Sequence, residues 1–396
     1  MIKKVISLMI AAAVGFSSLN IADKILSAKV NELYYPAFGD SLDVHKIQGI
    51  ILQKTAIEQS NSIPLYGSSE LTNIENPYHP LHFLSENRGI QVNLIGRGYC
   101  QSLIQIMDYG ALGDTLNGKK VALILSPQWF SKTGLAIDNF NMNFSEQQYL
   151  AFMLNDKISP SLKHYVAQRV GRMIERRADT TEVKVFNYLY NRDTLASRFV
   201  FGIMEPFYRL KLQLLSLKDK VTAYQILSKR TKIKAHIVTA EQSSKSTDWD
   251  AAKKAAEKMG MERANNNEFY MDNKYYDRFV RDKVSGLQGH LKDQSFLNSP
   301  EYQDFAKLLE LCREQGIKPL FISIPVNGRW YDYSGFDKSN REQYYENIRQ
   351  MVSSYGFSLA DFSGHEYDRY FLQDGMHVGW KGWIYVNEAL SSYFSQ

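Results

Sequence analysis

Cysteine is scarce in this chain of 396 residues, which contains only Cys100 and Cys312. Two cysteines form at most one disulfide bond, so they supply neither a disulfide framework nor a zinc site. We expect both to be buried as small apolar side chains. No other stretch is typical of a metal or cofactor site, and we therefore predict that the protein uses neither a metal nor a cofactor.

Long blocks of charge of one sign are also lacking. Charged residues make up 22% of the chain, basic residues exceed acidic ones by 5, and 44% of the residues are hydrophobic. This composition argues against disorder and suffices for a large core, in one elaborated domain or in one domain with an insertion. The small, scattered positive excess suits an anionic polymer or an acidic membrane surface, and it is too weak to indicate a nucleic-acid partner.

Only one long apolar run is present. It is Val5–Ala22, 18 residues without a charge that follow Lys3 and Lys4. This length is short but adequate for a membrane-spanning helix, and a cleaved signal peptide is the alternative. We predict an uncleaved anchor over residues 1–26, with a cytoplasmic N-terminus because of the preceding lysines. Residues 27–396 would then form one extracytoplasmic domain of a single-pass protein of the cell membrane.

A second stretch rich in apolar residues, 199–221, is interrupted by Arg209, Lys211 and Lys218, so we do not expect it to span a membrane. It belongs to a mostly helical region, residues about 140–285. That region is longer than a single crossover between two parallel strands requires. We therefore predict a helical insertion in an α/β core.

Outside this region, short apolar stretches alternate with helical patterns. Several of the stretches end in Gly, Ser-Pro or Asp, which favours strands joined by helices in a parallel sheet. The predicted strands are residues 62–66, 92–95, 121–125, 318–325 and 357–360.

Two hydroxyl side chains directly follow the first predicted strand, where Gly67 precedes Ser68 and Ser69. Glycine allows a sharp turn, so that a serine can stand exposed at the carboxyl end of a strand. Ligands bind at this edge of open α/β sheets. By itself the pattern also fits an ordinary turn in which a serine caps a helix.

The other end of the chain contains the groups that a nucleophilic serine requires. Asp374 and His377 lie three residues apart, just before the last predicted helix. A serine nucleophile needs a base, and a histidine base is best held in one tautomer by a carboxylate. Alone, Asp374 fits a helix cap and His377 a surface residue, and Asp361 is a rival partner for the base. Together with the serine turn, the pair predicts a triad of Ser69, His377 and Asp374.

These blocks resemble the first and last motifs of the SGNH (GDSL-type) hydrolase superfamily. The sequence around them resembles more closely the family of D-alanyl-lipoteichoic acid biosynthesis proteins. The similar stretches cover nearly the whole chain after the N-terminus. The resemblance implies an SGNH-like three-layer α/β/α fold, and it places Tyr78-His79-Pro80 near the site, although His79 alone would be interpreted as a surface residue. The stretches are Gly67-Ser68-Ser69-Glu70-Leu71, Tyr78-His79-Pro80, Ser126-Pro127-Gln128-Trp129-Phe130, Asn265-Asn266-Asn267, Asp272-Asn273-Lys274-Tyr275-Tyr276, Pro325-Val326-Asn327-Gly328-Arg329-Trp330-Tyr331-Asp332-Tyr333 and Asp374-Gly375-Met376-His377.

In the SGNH superfamily an oxyanion is stabilised by the amide of the nucleophile, a glycine amide and an asparagine side chain. Gly96 or Gly98 is in position to supply the glycine, and we assign Gly98. The expected Gly-x-Asn-Asp block is absent after the third strand. Gln128 stands roughly where the asparagine would be and has the same amide donor one methylene further out. We assign it to the oxyanion hole, with a helix cap as its alternative role.

The residues themselves predict only a serine esterase or acyltransferase. The resemblance implies that Ser69 carries D-alanine and passes it to hydroxyls of teichoic or lipoteichoic acid in a Gram-positive cell wall. It also implies partnership with other membrane proteins of D-alanylation. Two alternatives remain, namely a thioesterase or esterase with water as the acceptor, and a non-catalytic scaffold that binds a carrier protein or a polymer.

Overall fold

The computed structural model describes residues 2–192, 194–229 and 246–395. Five strands of this part of the chain form one parallel sheet, in the order β2-β1-β3-β4-β5. The predicted α/β class with a parallel sheet is therefore confirmed. The strands are β1 (Ile63–Tyr66), β2 (Val92–Ile95), β3 (Lys120–Leu125), β4 (Lys318–Ser323) and β5 (Ser358–Asp361).

Helices precede, separate and follow the strands. They are α1 (Ile2–Leu33), α2 (Val44–Gln48), α3 (Ile51–Gln59), α4 (Pro80–Arg88), α5 (Ser102–Leu112), α6 (Ile137–Asn143), α7 (Glu146–Met153), α8 (Pro160–Met173), α9 (Thr181–Asn191), α10 (Leu195–Lys229), α11 (Trp249–Arg263), α12 (Asn273–Phe279), α13 (Val284–Leu287), α14 (Glu301–Glu314), α15 (Gly328–Tyr333), α16 (Lys338–Ser354) and α17 (Trp380–Ser395).

The inner strands β1, β3 and β4 are largely apolar because both faces of the sheet are covered by helices. Successive side chains of a strand point to opposite faces. Leu65 and Ile124 pack in one apolar cluster with α4 and α17. Tyr66 and Leu123 pack in a larger cluster on the other face, with α5, α7 and α14. The protein therefore has helices, a sheet and helices as successive layers.

Both cysteines lie in the larger cluster. Cys100 and Cys312 are buried, and neither forms a disulfide bond. The prediction that they serve as small apolar side chains is confirmed.

The carboxyl ends of β1 and β2 meet at two glycines. The N–H of Gly67 donates to the carbonyl of Ile95 at 3.1 Å. Gly96 has a φ of +135°, and a Cβ at this position would lie 1.9 Å from the carbonyl oxygen of Gly67. Only glycine fits such a close approach. The segments that follow, with Ser69 and Gly98, therefore emerge side by side at this edge of the sheet.

Between β3 and β4 the described residues form helices α6–α14 and no strand. Residues 193 and 230–245 of the predicted insertion lie outside the described residues. The division of the chain at residue 26, with an insertion over about 140–285, stays a prediction.

The N-terminal segment forms helix α1, which extends beyond the predicted anchor and packs against α10. The amide of Gln213 donates to Oδ1 of Asn20 at 3.1 Å, and Lys220 forms an ion pair with Asp23. Among the residues described, no helix combines the length and the apolar character needed to cross a membrane. The predicted anchor over residues 1–26 is therefore not confirmed.

Candidate active site

Ser69 begins a short turn of 3-10 helix that directly follows β1 and Gly67. Its Oγ lies 3.0 Å from Nε2 of His377. These two residues are separated by 308 positions in the chain. The parallel sheet brings them together because the loop before α17 returns to the carboxyl edge of the strands.

Asp374 holds His377 from the other side. Its Oδ2 accepts a hydrogen bond from Nδ1 of the imidazole at 2.8 Å. Its Oδ1 accepts from the backbone N–H groups of Met376 and His377, both at 2.8 Å. The carboxylate therefore fixes the loop and the ring at once, with Nδ1 protonated and Nε2 turned towards Ser69.

The electrostatics of the site favour a basic imidazole. Burial opposes the charged form of His377, but the hydrogen bond and the negative charge of Asp374, together with Glu70, outweigh it, so the pKa of His377 is raised above its ordinary value. Burial also raises the pKa of Glu70 to about 7, although its hydrogen bonds with backbone N–H groups partly offset the effect.

Two other residues from the sequence analysis, Asp361 and Ser68, make different contacts. Asp361 accepts a hydrogen bond from Arg349 at 2.6 Å and another from the N–H of Ser363. The hydroxyl of Ser68 accepts the N–H of Tyr99 at 3.1 Å. Of the two serines and the two aspartates considered, only Ser69 and Asp374 contact the histidine.

A cavity of about 440 Å³ opens beside this group. Gly98 and Gln128, the two residues assigned to the oxyanion hole, line it together with Ser69 and His377. The structure thus brings both to the site, and their function as donors to an oxyanion stays a prediction. The expected His79 is not among the lining residues.

His79 is a buried residue rather than a surface one. It is fully enclosed, and its ring packs edge-on against Trp383 at 4.6 Å between ring centres. Its Nδ1 accepts the N–H of Leu81, which places His79 at the N-cap of α4. Burial lowers its pKa to about 3, so it is a neutral core histidine.

The loop that carries Gly98 is fixed by Asn143, a residue that the sequence analysis missed. Its Nδ2 donates to the carbonyl of Gly98 at 2.9 Å, and its Oδ1 accepts from Nε of Arg97 at 2.7 Å. Tyr99, the residue after Gly98, has a φ of +71°, a left-handed conformation that is unfavourable for a side chain of this size. No sequence signal marks Asn143, because it lies 45 residues from Gly98 in the helical region.

Glu70 is the second missed residue. Its side chain is buried, and Oε1 accepts the N–H of Ser68 at 2.5 Å. Oε2 is buried without a hydrogen-bond partner. A charged residue beside two serines is typical of a solvent-exposed turn. Only the position of Glu70 in the family motif connects it with the site in the sequence.

The arrangement can perform nucleophilic acyl transfer. The Ser69 hydroxyl is within reach of a base, the base is held by a carboxylate, and a cavity adjoins the hydroxyl. In the described part of the chain, no group of three or more His, Cys, Asp or Glu side chains is arranged to hold a metal ion.

Comparison with known proteins extends these observations. The model of the DltD protein family matches residues 39–395. The chain is 34% identical to Protein DltD of Bacillus subtilis over 388 residues, which are 98% of this chain and 95% of that protein. It is 28% identical to Protein DltD of Staphylococcus aureus over 395 residues, with 99% and 96% covered, and 24% identical to Protein DltD of Lacticaseibacillus rhamnosus over 360 residues, with 89% and 82% covered. These matches confirm the resemblance found in the sequence, and the chain belongs to the DltD family.

Proposed function

We propose that this protein is a serine acyltransferase that passes D-alanine, through an ester on Ser69, to hydroxyls of teichoic or lipoteichoic acid. The observation that carries the proposal is the contact of 3.0 Å between Ser69 Oγ and His377 Nε2, with Asp374 behind the imidazole. Membership of the DltD family and the motifs of D-alanyl-lipoteichoic acid biosynthesis proteins support the choice of acyl group and acceptor.

In the first half of the proposed reaction, Nε2 of His377 takes the proton of Ser69 as Oγ attacks the carbonyl carbon of an activated D-alanyl donor. The tetrahedral intermediate carries its negative charge on the former carbonyl oxygen. Donors on Gly98 and Gln128 would stabilise that charge. The bond to the leaving group then breaks, and the leaving group takes the proton from His377, which leaves D-alanyl-Ser69.

In the second half, His377 takes the proton of an acceptor hydroxyl, which attacks the ester carbon. The bond to Ser69 Oγ breaks, and the proton returns to the serine. Water in place of the hydroxyl would give hydrolysis by the same steps. The outcome therefore depends on which nucleophile occupies the attacking position and on how well water is excluded.

Two features favour a polyol phosphate over water. A second cavity, of about 370 Å³, is lined by three acidic residues, Glu75, Asp272 and Asp374, and by two basic residues, Arg263 and Lys274. Hydroxyls of a polyol would donate hydrogen bonds to the carboxylates, and its phosphates would contact the basic residues. A polymer tethered to the same membrane would also be present at a high effective concentration.

The test is the partition of a labelled D-alanyl donor between two products. We expect slow release of free D-alanine from the purified protein alone, and we expect added polyglycerol phosphate to divert the label to the polymer. Free D-alanine as the sole product at every polymer concentration, with the membrane proteins of D-alanylation present, would establish the hydrolase instead. A polymer without free hydroxyls is the matched control.

The location of the reaction is part of the proposal. The uncharged run that follows Lys3 and Lys4 supports a cytoplasmic N-terminus and a domain outside the cell membrane, beside the other D-alanylation proteins. Protease added to intact cells should then digest most of the chain while its N-terminus stays with the membrane. A soluble mature protein that begins near residue 18 would show a cleaved signal peptide instead.

A further inference from the structure

Helix α10 carries an exposed apolar stripe that lies apart from the candidate active site. Its members recur every three, four or seven residues, so on a helix of 3.6 residues per turn they fall within an arc of about 80°. No Asp, Glu, Lys or Arg of α10 falls in that arc. The stripe consists of Phe199 (72% exposed), Ile203 (63%), Phe207 (44%), Leu210 (43%), Leu214 (49%) and Val221 (38%).

This exposure is unusual for a soluble protein surface. Single exposed apolar residues are common, but a continuous row of large ones indicates a surface that contacts another apolar phase or partner. Helix α10 already packs on the body of the protein through its other side, where Tyr208, Ala223 and Leu227 are buried. The stripe is therefore not needed for the core, and it faces outwards.

Basic charge is concentrated on the same part of the molecule. Helix α10 contains six Lys and Arg residues against two Asp and Glu residues, an excess of 4. The whole chain has an excess of 5. Most of the positive excess of the chain therefore lies on α10.

An apolar stripe with basic flanks is the pattern of a helix that lies in the plane of an anionic lipid surface. Lys218 and Lys229 are exposed and follow the stripe within about 40° on the helix wheel, where they can reach lipid headgroups. A protein partner could bind the apolar stripe alone, and its binding would not require the basic residues beside the stripe.

We propose that α10 is an interfacial helix, whose stripe enters the headgroup region of a membrane rich in anionic lipid. This contact would hold the body of the protein against the membrane independently of any spanning segment. The stripe contributes no residue to the cavity beside Ser69. Either proposal, the interfacial helix or the acyl transfer, can therefore be wrong while the other is right.

The experiment places an environment-sensitive fluorophore on the stripe of the full chain, through Ile203→Cys. Cys100 and Cys312 are buried, so the new thiol is the reactive one. With vesicles of phosphatidylglycerol and phosphatidylcholine we expect a blue shift and an intensity gain, both reduced by salt. The matched control is Glu342→Cys on α16, with a side chain 65% exposed, where we expect no shift.

A local reporter is needed because α1 alone can bring the chain to a vesicle. No shift at position 203, in protein that floats with the vesicles, would overturn the proposal. A shift that grows with protein concentration in the absence of lipid would also overturn it, because it would show that a second copy covers the stripe. An equal shift with pure phosphatidylcholine would refute the part of the proposal that depends on charge.

A second variant tests the stripe through the same local reporter. The changes Phe199→Ser and Phe207→Ser, made in protein labelled at Ile203→Cys, should reduce the blue shift on anionic vesicles, because they remove apolar surface on both sides of the fluorophore. They should leave acyl transfer between soluble substrates unchanged, and Ser69→Ala should leave the shift unchanged. An unaltered shift in this variant, with a native circular dichroism spectrum, would contradict the interfacial role.

Discussion

Asp374 contacts His377 twice, through Nδ1 of its ring and through its backbone N–H, each at 2.8 Å. One carboxylate therefore sets both the tautomer of the imidazole and the conformation of the loop that carries it. This double contact explains why the two residues are spaced three apart. It also separates the electrostatic function of Asp374 from its structural one.

Replacement of Asp374 by asparagine tests the electrostatic function. Asparagine keeps an acceptor for the two backbone N–H groups but favours the wrong tautomer of His377, so we expect kcat to fall about 10³- to 10⁴-fold. The base acts in its neutral form, and wild-type activity should rise with pH through the raised pKa of His377. Loss of the carboxylate should move that rise to lower pH. The measurement is a pH profile of kcat/KM on a small activated ester.

Asp361→Asn is the control for this change. It removes the same charge from a residue that pairs with Arg349 rather than with His377. We expect its pH profile to match that of the wild type. An equal loss of activity in both variants would mean that Asp374 has no special connection with the base.

Ser69→Ala separates an enzyme from a scaffold. The change removes the hydroxyl next to His377 but no contact of the core, so the protein should fold normally. In a Gram-positive host without its own copy, we expect no D-alanine to be restored to teichoic acid. Ser68→Ala should restore most of it, because the change removes only the bond between the Ser68 hydroxyl and the N–H of Tyr99, and one such bond contributes about 1 kcal/mol. Full restoration by Ser69→Ala would favour the scaffold.

The oxyanion hole is tested through Gln128 and Asn143. Gln128→Ala should lower kcat about 10²- to 10³-fold with little change in KM if its amide contacts the oxyanion. Asn143→Ala frees the carbonyl of Gly98 and should lower kcat by a smaller factor. Asn141→Ala is the control on the same helix, since it bonds to the carbonyl of Met173 instead. A loss of stability without a change in kcat would assign Gln128 to a structural cap.

Glu70 should make stability depend on pH. Its pKa is raised from 4.5 to about 7 in the folded protein, so the unfolded chain ionises first as pH increases. The stabilisation is complete below about pH 4.5 and is lost as pH rises to about 7, by up to about 3 kcal/mol. Glu70→Gln should abolish this dependence and still accept the N–H of Ser68. Urea unfolding from pH 4.5 to 8 measures it.

Glu75→Gln, a change at an exposed acid of the same segment, is the control for Glu70. The difference in free energy of unfolding between Glu70→Gln and the wild type should increase as pH rises. For Glu75→Gln the same difference should stay constant with pH. Parallel curves for both variants would show that Glu70 ionises in the folded protein as it does in the unfolded chain.

The sheet and the three residues Ser69, Asp374 and His377 could be predicted from the sequence for different reasons. Strand β3 is apolar on both faces, so the run Val121–Leu125 could be recognised without tertiary information. Ser69, Asp374 and His377 could be assigned because their chemistry requires one another. Asn143 and Glu70 could not, since their importance lies in bonds to backbone groups of Gly98 and Ser68 that only the folded chain brings near. His79 was interpreted as a surface residue because nothing in its sequence neighbourhood reveals that Trp383 covers it.

The most direct test of the proposed function is the covalent state of Ser69 during turnover. The wild-type protein is mixed with a D-alanyl thioester, quenched in acid and digested, and the peptide that contains Ser69 is weighed by mass spectrometry. We predict that this peptide gains one alanyl group, that polyglycerol phosphate removes it, and that the Ser69→Ala and His377→Gln proteins gain none. An alanyl group on another residue, or transfer to the polymer by Ser69→Ala, would contradict the acyl-serine mechanism.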